Sequence, residues 1–144
     1  MVYRLALART RNIDNAEDVF QEVFLRLSKK MPEFQSAEHE KAWLIRVTIN
    51  CSKNMLSSFW NKNIIQLEEE IQFEEEETNE IYFDVLRLPQ KERTILHLYY
   101  YENLKLKEIA GLMGITEKNA KTKLFRARQK LKEVLEGGEQ DEEI

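Results

Sequence analysis

The amino-acid sequence predicts an all-α protein: two small helical domains joined by an acidic linker, the second a helix-turn-helix. Three observations carry this expectation. Only 4 Gly and 2 Pro occur in 144 residues, whereas sandwiches and barrels need many turns. Apolar residues recur every three or four positions through most of the chain, the repeat of a helix with one buried face. The stretch from Leu104 to Leu131 sets two short amphipathic runs on either side of Gly114. In that layout the second helix can enter the DNA major groove. The expected boundaries are 1–60 for the first domain, 61–80 for the linker, 81–138 for the second domain and 139–144 for an acidic tail.

Each element has a local reason. Val2, Leu5 and Ala6 start a helix toward Arg11, and Asn12 and Asp14 break it. Asp14 or Asn15 is expected to cap the next helix, because a short polar side chain can accept from the free N–H groups of the first turn. That helix carries the stripe Ala16, Val19, Phe20, Val23, Phe24 and Leu27, with Glu17, Asp18, Gln21 and Glu22 on the other face. Pro32 ends it. A loop over 33–39 follows, with Ser36 as a candidate cap. A third helix then carries Trp43, Leu44, Val47, Thr48 and Cys51 and continues through Met55 and Leu56.

Over 61–79 the runs Glu68–Glu70 and Glu74–Glu77 read as a solvated linker, since like charges repel and resist packing. Ile64, Ile65, Leu67, Ile71 and Phe73 leave room there for a short docking helix. The next block opens with Ile81, Val85, Leu86 and Leu88. Pro89 suits a helix start, where its missing N–H forfeits nothing. Lys91 to Tyr101 then carries Ile95, Leu96, Leu98 and Tyr99 as a core stripe. Leu106 to Met113 is a helix, Gly114 a turn, Thr116 the cap of a basic helix, and Gly137-Gly138 the expected end of that helix. Glu139 to Ile144 should fray.

The net charge of −4 hides a strong pattern. Residues 1–60 sum to +2, 61–83 to −7, 84–135 to +6 and 136–144 to −5. Salt screens charge beyond roughly 10 Å, so the local block rather than the total sets what binds. The basic helix holds Lys118, Lys121, Lys123, Arg126, Arg128, Lys130 and Lys132, opposed between Thr116 and Lys132 only by Glu117. Ala120, Leu124, Ala127 and Leu131 form its buried stripe. That turns Lys118, Asn119, Lys121, Thr122 and Lys123 outward near the N-terminal end, the end that meets base edges in recognition helices. Lys and Arg neutralise phosphates, Asn119 suits an adenine edge, and Thr122 suits a phosphate or a thymine methyl. With Thr116 and Arg126 these are the candidate DNA-binding residues of the second domain.

Other classes lack their residues. Cys51 is alone, so no internal disulfide forms, and His39 and His97 are too far apart in sequence for a structural zinc site. No apolar run approaches the roughly 20 residues that span a bilayer. The first ten residues hold too short an apolar core for a secretory signal, which points to a cytoplasmic protein. No carboxylate pair with a base, no metal cluster and no Gly-rich phosphate loop appears, so the chain is not read as an enzyme and needs no cofactor.

Several stretches resemble one family. Leu88-Pro89-Gln90-Lys91-Glu92-Arg93, Glu108-Ile109-Ala110, Leu112-Met113-Gly114-Ile115-Thr116 and Arg126-Ala127-Arg128-Gln129-Lys130-Leu131 resemble the C-terminal domain of sigma-70-family RNA polymerase sigma factors. The compact extracytoplasmic-function (ECF) group is most similar. The run from Asp14 to Leu27 resembles that group's core-binding helix, and Ala42 to Asn50 resembles the start of its promoter-melting helix. The resemblance implies an alternative sigma factor that binds core RNA polymerase, at the β′ clamp helices and the β flap, and directs transcription from specific promoters.

By position, Asp18, Gln21 and Glu22 would contact polymerase. The Trp43 helix would address the −10 element through Arg46, Asn50, Lys53 and Asn54, with Trp43 itself in the core. The second domain would address the −35 element. An anti-sigma factor is an implied partner, and no small-molecule substrate is. An alternative reading is a helix-turn-helix regulator that binds DNA without polymerase, which a dimerisation helix or ligand domain would favour. Val2 to Arg11 offers only about two to three turns to cover the stripes of the next two helices. The first domain is therefore expected to lack an upstream helix.

Overall fold

A computed structural model describes residues 1–61 and 84–142. Among the described residues the regular elements are all helical, and the chain divides into two compact units. The expected linker beyond Asn61, Ile81 and the last two residues lie outside the described residues.

The first unit holds α1 (Val2–Thr10), α2 (Ile13–Lys30) and α3 (Ala37–Asn61), each packed on the other two. α1 ends where Arg11 turns left-handed at φ 53 and its N–H reaches the Leu7 carbonyl. The cap of α2 is Asn12, not Asp14 or Asn15. Asn12 is extended, and its Oδ1 accepts from the Asn15 N–H at 2.9 Å, so Asn15 is the donor and is itself buried. Met31, left-handed at φ 41, closes α2 just before Pro32. Ser36 caps α3, its Oγ accepting from the His39 N–H at 3.1 Å.

Two apolar stripes sit differently from their sequence reading. In α2, Ala16, Val19 and Val23 are buried, but Phe20 and Phe24 are each 39% exposed and Leu27 is half-buried. The two Phe rings pack on each other at 4.7 Å, and Tyr3 meets Phe20 edge-on at 6.4 Å. In α3 the buried arc is Ile45, Thr48, Ile49, Cys51 and Ser52, whereas Trp43, Leu44 and Val47 are only half-buried. The whole arc is turned by about one residue position (~100° on a 3.6-residue turn). Counting apolar residues misses this because Ser52, a polar residue, lies on the arc beside Thr48. The Thr48 hydroxyl donates to the Leu44 carbonyl at 2.6 Å and the Ser52 hydroxyl to the Ile49 carbonyl at 2.8 Å. Satisfied on their own helix, they can be buried without a large penalty. Trp43 borders the unit, edge-on to Phe34 at 5.8 Å.

The described part of the second unit opens with a short helical turn over 84–86, and Val85, Leu86 and Leu88 are buried. Pro89 leads into α4 (Gln90–Leu96), which continues as a π-helical turn over His97–Tyr101. There the Glu102 N–H bonds the His97 carbonyl five residues back, at 3.1 Å. Ile95, Leu96, His97 and Leu98 are buried; Tyr99 is only half-buried. His97 Nε2 lies 3.2 Å from Glu102 Oε1, and its ring stacks on Tyr101. α5 (Leu106–Met113) and α6 (Glu117–Glu142) complete the unit. Gly137-Gly138 does not end α6, which runs on to Glu142. Glycine costs a helix only about 1 kcal/mol. It stops one only by turning left-handed, and Gly114 is the positive-φ glycine among the described residues.

Candidate nucleic-acid interface

The helix-turn-helix is assembled from local signals. α5 ends at Gly114, which sits at φ 69 and ψ 34, where a Cβ would be strained. The next N–H, that of Ile115, reaches back to the Ala110 carbonyl at 3.0 Å. Thr116 then caps α6, its Oγ1 accepting from the Asn119 N–H at 3.1 Å. Ala120, Leu124 and Ala127 are buried and Leu131 is half-buried, so the stripe read from spacing is the face that packs on α4 and α5.

That packing brings Thr116, Lys118, Asn119, Lys121, Thr122 and Arg126 together on the exposed side of α6; Lys123 is half-buried at its edge. Thr116 uses its oxygen as a cap but keeps a hydroxyl proton to donate. Thr122 gives its proton to the Lys118 carbonyl at 3.1 Å, so its methyl and an acceptor oxygen face outward. Two other cations of the helix are tied to the unit itself. Lys130 Nζ donates to Glu92 Oε1 at 2.6 Å, and Arg128 Nε donates to the Tyr100 hydroxyl at 2.7 Å. Burial pushes the Glu92 carboxyl up, but the bond and charge of Lys130, a backbone hydrogen bond and the charge of Lys91 together hold the group below its ordinary value.

Sequence reasoning missed Phe125. It lies on the exposed basic face and is 62% exposed. The signal was available: Phe125 follows Leu124 and so falls about 100° off the buried stripe. A large apolar ring in a field of Lys and Arg can meet a thymine methyl in a major groove.

In the first unit, Arg46, Asn50, Lys53 and Asn54 are all exposed and lie at helical spacing on one side of α3. On α2, Asp18, Gln21 and Glu22 are exposed, and Glu22 pairs with Arg26 at 3.1 Å. Leu25, also missed, is 48% exposed and shares their face, three and four positions beyond Glu22 and Gln21.

The family pattern described as Sigma-70 region 2 matches residues 1–61, and that described as Sigma-70, region 4 matches residues 85–131. The ECF RNA polymerase sigma factor SigM of Bacillus subtilis is 30% identical over 155 residues, spanning 98% of this chain and 92% of its own length. This chain belongs to the sigma-70 family, ECF group. Another relative, RNA polymerase sigma factor SigV of Bacillus subtilis, is 30% identical over 132 residues, covering 87% of this chain and 78% of SigV. A solved structure of the sigma factor RpoE from Bartonella quintana, in complex with the anti-sigma factor NepR, shares the fold at a TM-score of 0.78. The match covers 94% of this chain and 89% of that one at 19% identity. Residues 117–131 of the basic α6 of this ECF sigma factor thus lie within the region 4 match, and the exposed faces of α2 and α3 lie within the region 2 match. No helix among the described residues is long and apolar enough to cross a membrane.

Proposed function

We propose that this ECF sigma factor works in the cytoplasm, performs no chemistry of its own, and directs core RNA polymerase to promoters through three surfaces. The exposed side of α6 reads duplex DNA at the −35 element, with Lys118, Lys121 and Arg126 on phosphates and Asn119, Thr122 and Phe125 toward base edges. Arg46, Asn50, Lys53 and Asn54 of α3 address the −10 element, where strand opening presents bases to be held by stacking and phosphate contacts. Asp18, Gln21 and Glu22 of α2 surround Leu25 as a polar rim around an apolar anchor, the arrangement that concentrates binding energy at interfaces. They form the face for the β′ clamp helices of polymerase. The second unit would meet the β flap. That the Bartonella quintana neighbour is seen with NepR supports an anti-sigma factor as a further partner.

The single observation that carries the reading is the exposed N-terminal stripe of α6, seated behind a Thr116 cap and a left-handed Gly114. A polymerase-independent regulator would also use α6, but it gives no role to the acidic face of α2. Core polymerase binding separates the two. Replacing Asp18 and Glu22 together by Lys should abolish co-purification with core polymerase while leaving duplex affinity intact, because reversed charges meet like charges and slow encounter. Unchanged co-purification would leave that face merely solvated.

A further inference from the structure

We infer that Tyr99 and Tyr100 form a seat for Arg128, making Arg128 a positioning residue that fixes how α6 presents its basic face and not a phosphate contact. The inference rests on the reading of α6 as the duplex-binding helix. The Arg128 guanidinium carbon lies 5.2 Å from the centre of the Tyr99 ring and 5.6 Å from that of Tyr100. Its Nε–H donates to the Tyr100 hydroxyl at 2.7 Å. The two rings meet edge to face at 5.0 Å, so the planar cation rests against both at once.

The π turn makes this seat possible. Its five-residue hydrogen bond widens the helix and reduces the rotation between neighbours, so consecutive tyrosines reach the same side. His97 and Leu98, just before them, remain buried and anchor the turn. Two positions further along α6, Lys130 is held by Glu92 of α4. Two cations are thus drawn toward α4 and its π extension, while Lys118, Lys121 and Arg126 are left facing solvent. A planar, forked guanidinium suits stacking and a directed N–H bond; an ammonium supplies the same charge without either.

The test uses the full chain and a mixed-sequence DNA duplex, with affinity measured across a salt series and folding confirmed by circular dichroism. Tyr100→Phe should remove the hydrogen-bonded Arg128 Nε–H resonance and weaken duplex binding about two- to fivefold. Arg128→Lys should weaken binding as much despite keeping the charge. Neither should alter the salt slope, and the double variant should be no worse than either single one. Wild-type affinity in Arg128→Lys, or a slope flattened in Arg128→Gln as far as in Lys121→Ala, would show a phosphate contact and overturn the inference. Should Arg128→Lys fail to fold, Tyr100→Phe decides alone: unchanged affinity overturns the seat. A wild-type chain with no salt-dependent duplex binding would overturn the reading of α6 itself, a result distinct from all of these.

Discussion

Arg9 Nε donates to the Ser52 hydroxyl at 3.0 Å, with both side chains buried where α1 crosses α3. The Ser52 hydroxyl passes its own proton to the Ile49 carbonyl, so the pair is a short relay from one helix into the backbone of another. Burial lowers the Arg9 pKa from its ordinary value. Ser52→Ala removes both bonds of the relay, one of them from a charged donor, and should cost about 1–2 kcal/mol. Arg9→Ala, which also removes a packed aliphatic stem, should cost about 2–3 kcal/mol. Urea midpoints followed by circular dichroism would check both; equal losses would show that the stem contributes nothing.

The Glu92–Lys130 pair makes part of the second unit's stability pH-dependent. Glu92 has its folded pKa depressed: burial raises it, and Lys130, with a backbone hydrogen bond and Lys91, lowers it by more. A depressed carboxylate contributes stability that is present above its unfolded pKa and lost as pH falls through the folded one. The loss therefore falls within and below the ordinary carboxylate range. Lys130 is 45% exposed at its side chain, so the pair is worth about 0.5–1 kcal/mol. Lys130→Gln should lower stability by that amount at neutral pH and reduce the further loss on acidification. Melting temperature against pH would reveal a parallel, undiminished acid loss if the pairing is idle.

Met31 closes α2 at φ 41 and is 78% exposed, so its side chain gains little from packing. An L residue in the left-handed region is strained by about 1–2 kcal/mol, which glycine avoids at some entropic cost. Met31→Gly should therefore stabilise the first unit by about 0.5–1 kcal/mol. A lowered urea midpoint would show that Met31 is held by contacts beyond its backbone geometry.

Duplex binding should be steeply salt-dependent. Each phosphate neutralised contributes roughly −0.9 to the slope of log affinity against log salt. Lys121→Ala and Arg126→Ala should each flatten it by up to about one unit. Phe125→Ala should instead leave the slope unchanged and lower the preference for one duplex sequence over another. Sequence enrichment from a randomised duplex pool would measure it, and an unaltered enrichment would remove Phe125 from base reading.

The exposure of the faces proposed for polymerase and promoter is partly legible from residue type. Asp18, Gln21 and Glu22 on α2, and Arg46, Asn50, Lys53 and Asn54 on α3, are polar residues off an apolar stripe, and all are exposed. Leu25 and Phe125 were not found, because an apolar residue is first assigned to a core. Only its offset from the stripe reveals that it faces solvent.

The sequence by itself determined the helices and most of their ends. Caps such as Ser36 and Thr116 and the left-handed turn at Gly114 depend on contacts within three or four residues, so they can be read without knowing what packs where. It also determined the helix-turn-helix, because the stripe Ala120–Leu124–Ala127 and the basic face opposite are written along one element. Tertiary structure alone decided which side of each stripe is covered. Ile45, Ile49 and Ser52 are buried in α3 ahead of Trp43 and Val47, and Phe20 and Phe24 are left half open. It alone decided that Arg128 and Lys130 are tied to Tyr100 and Glu92 while Arg126 faces solvent. Periodicity reports that a helix has an apolar side. The rotation of that side against its neighbours, and the partner each long cation finds, depend on residues tens of positions away.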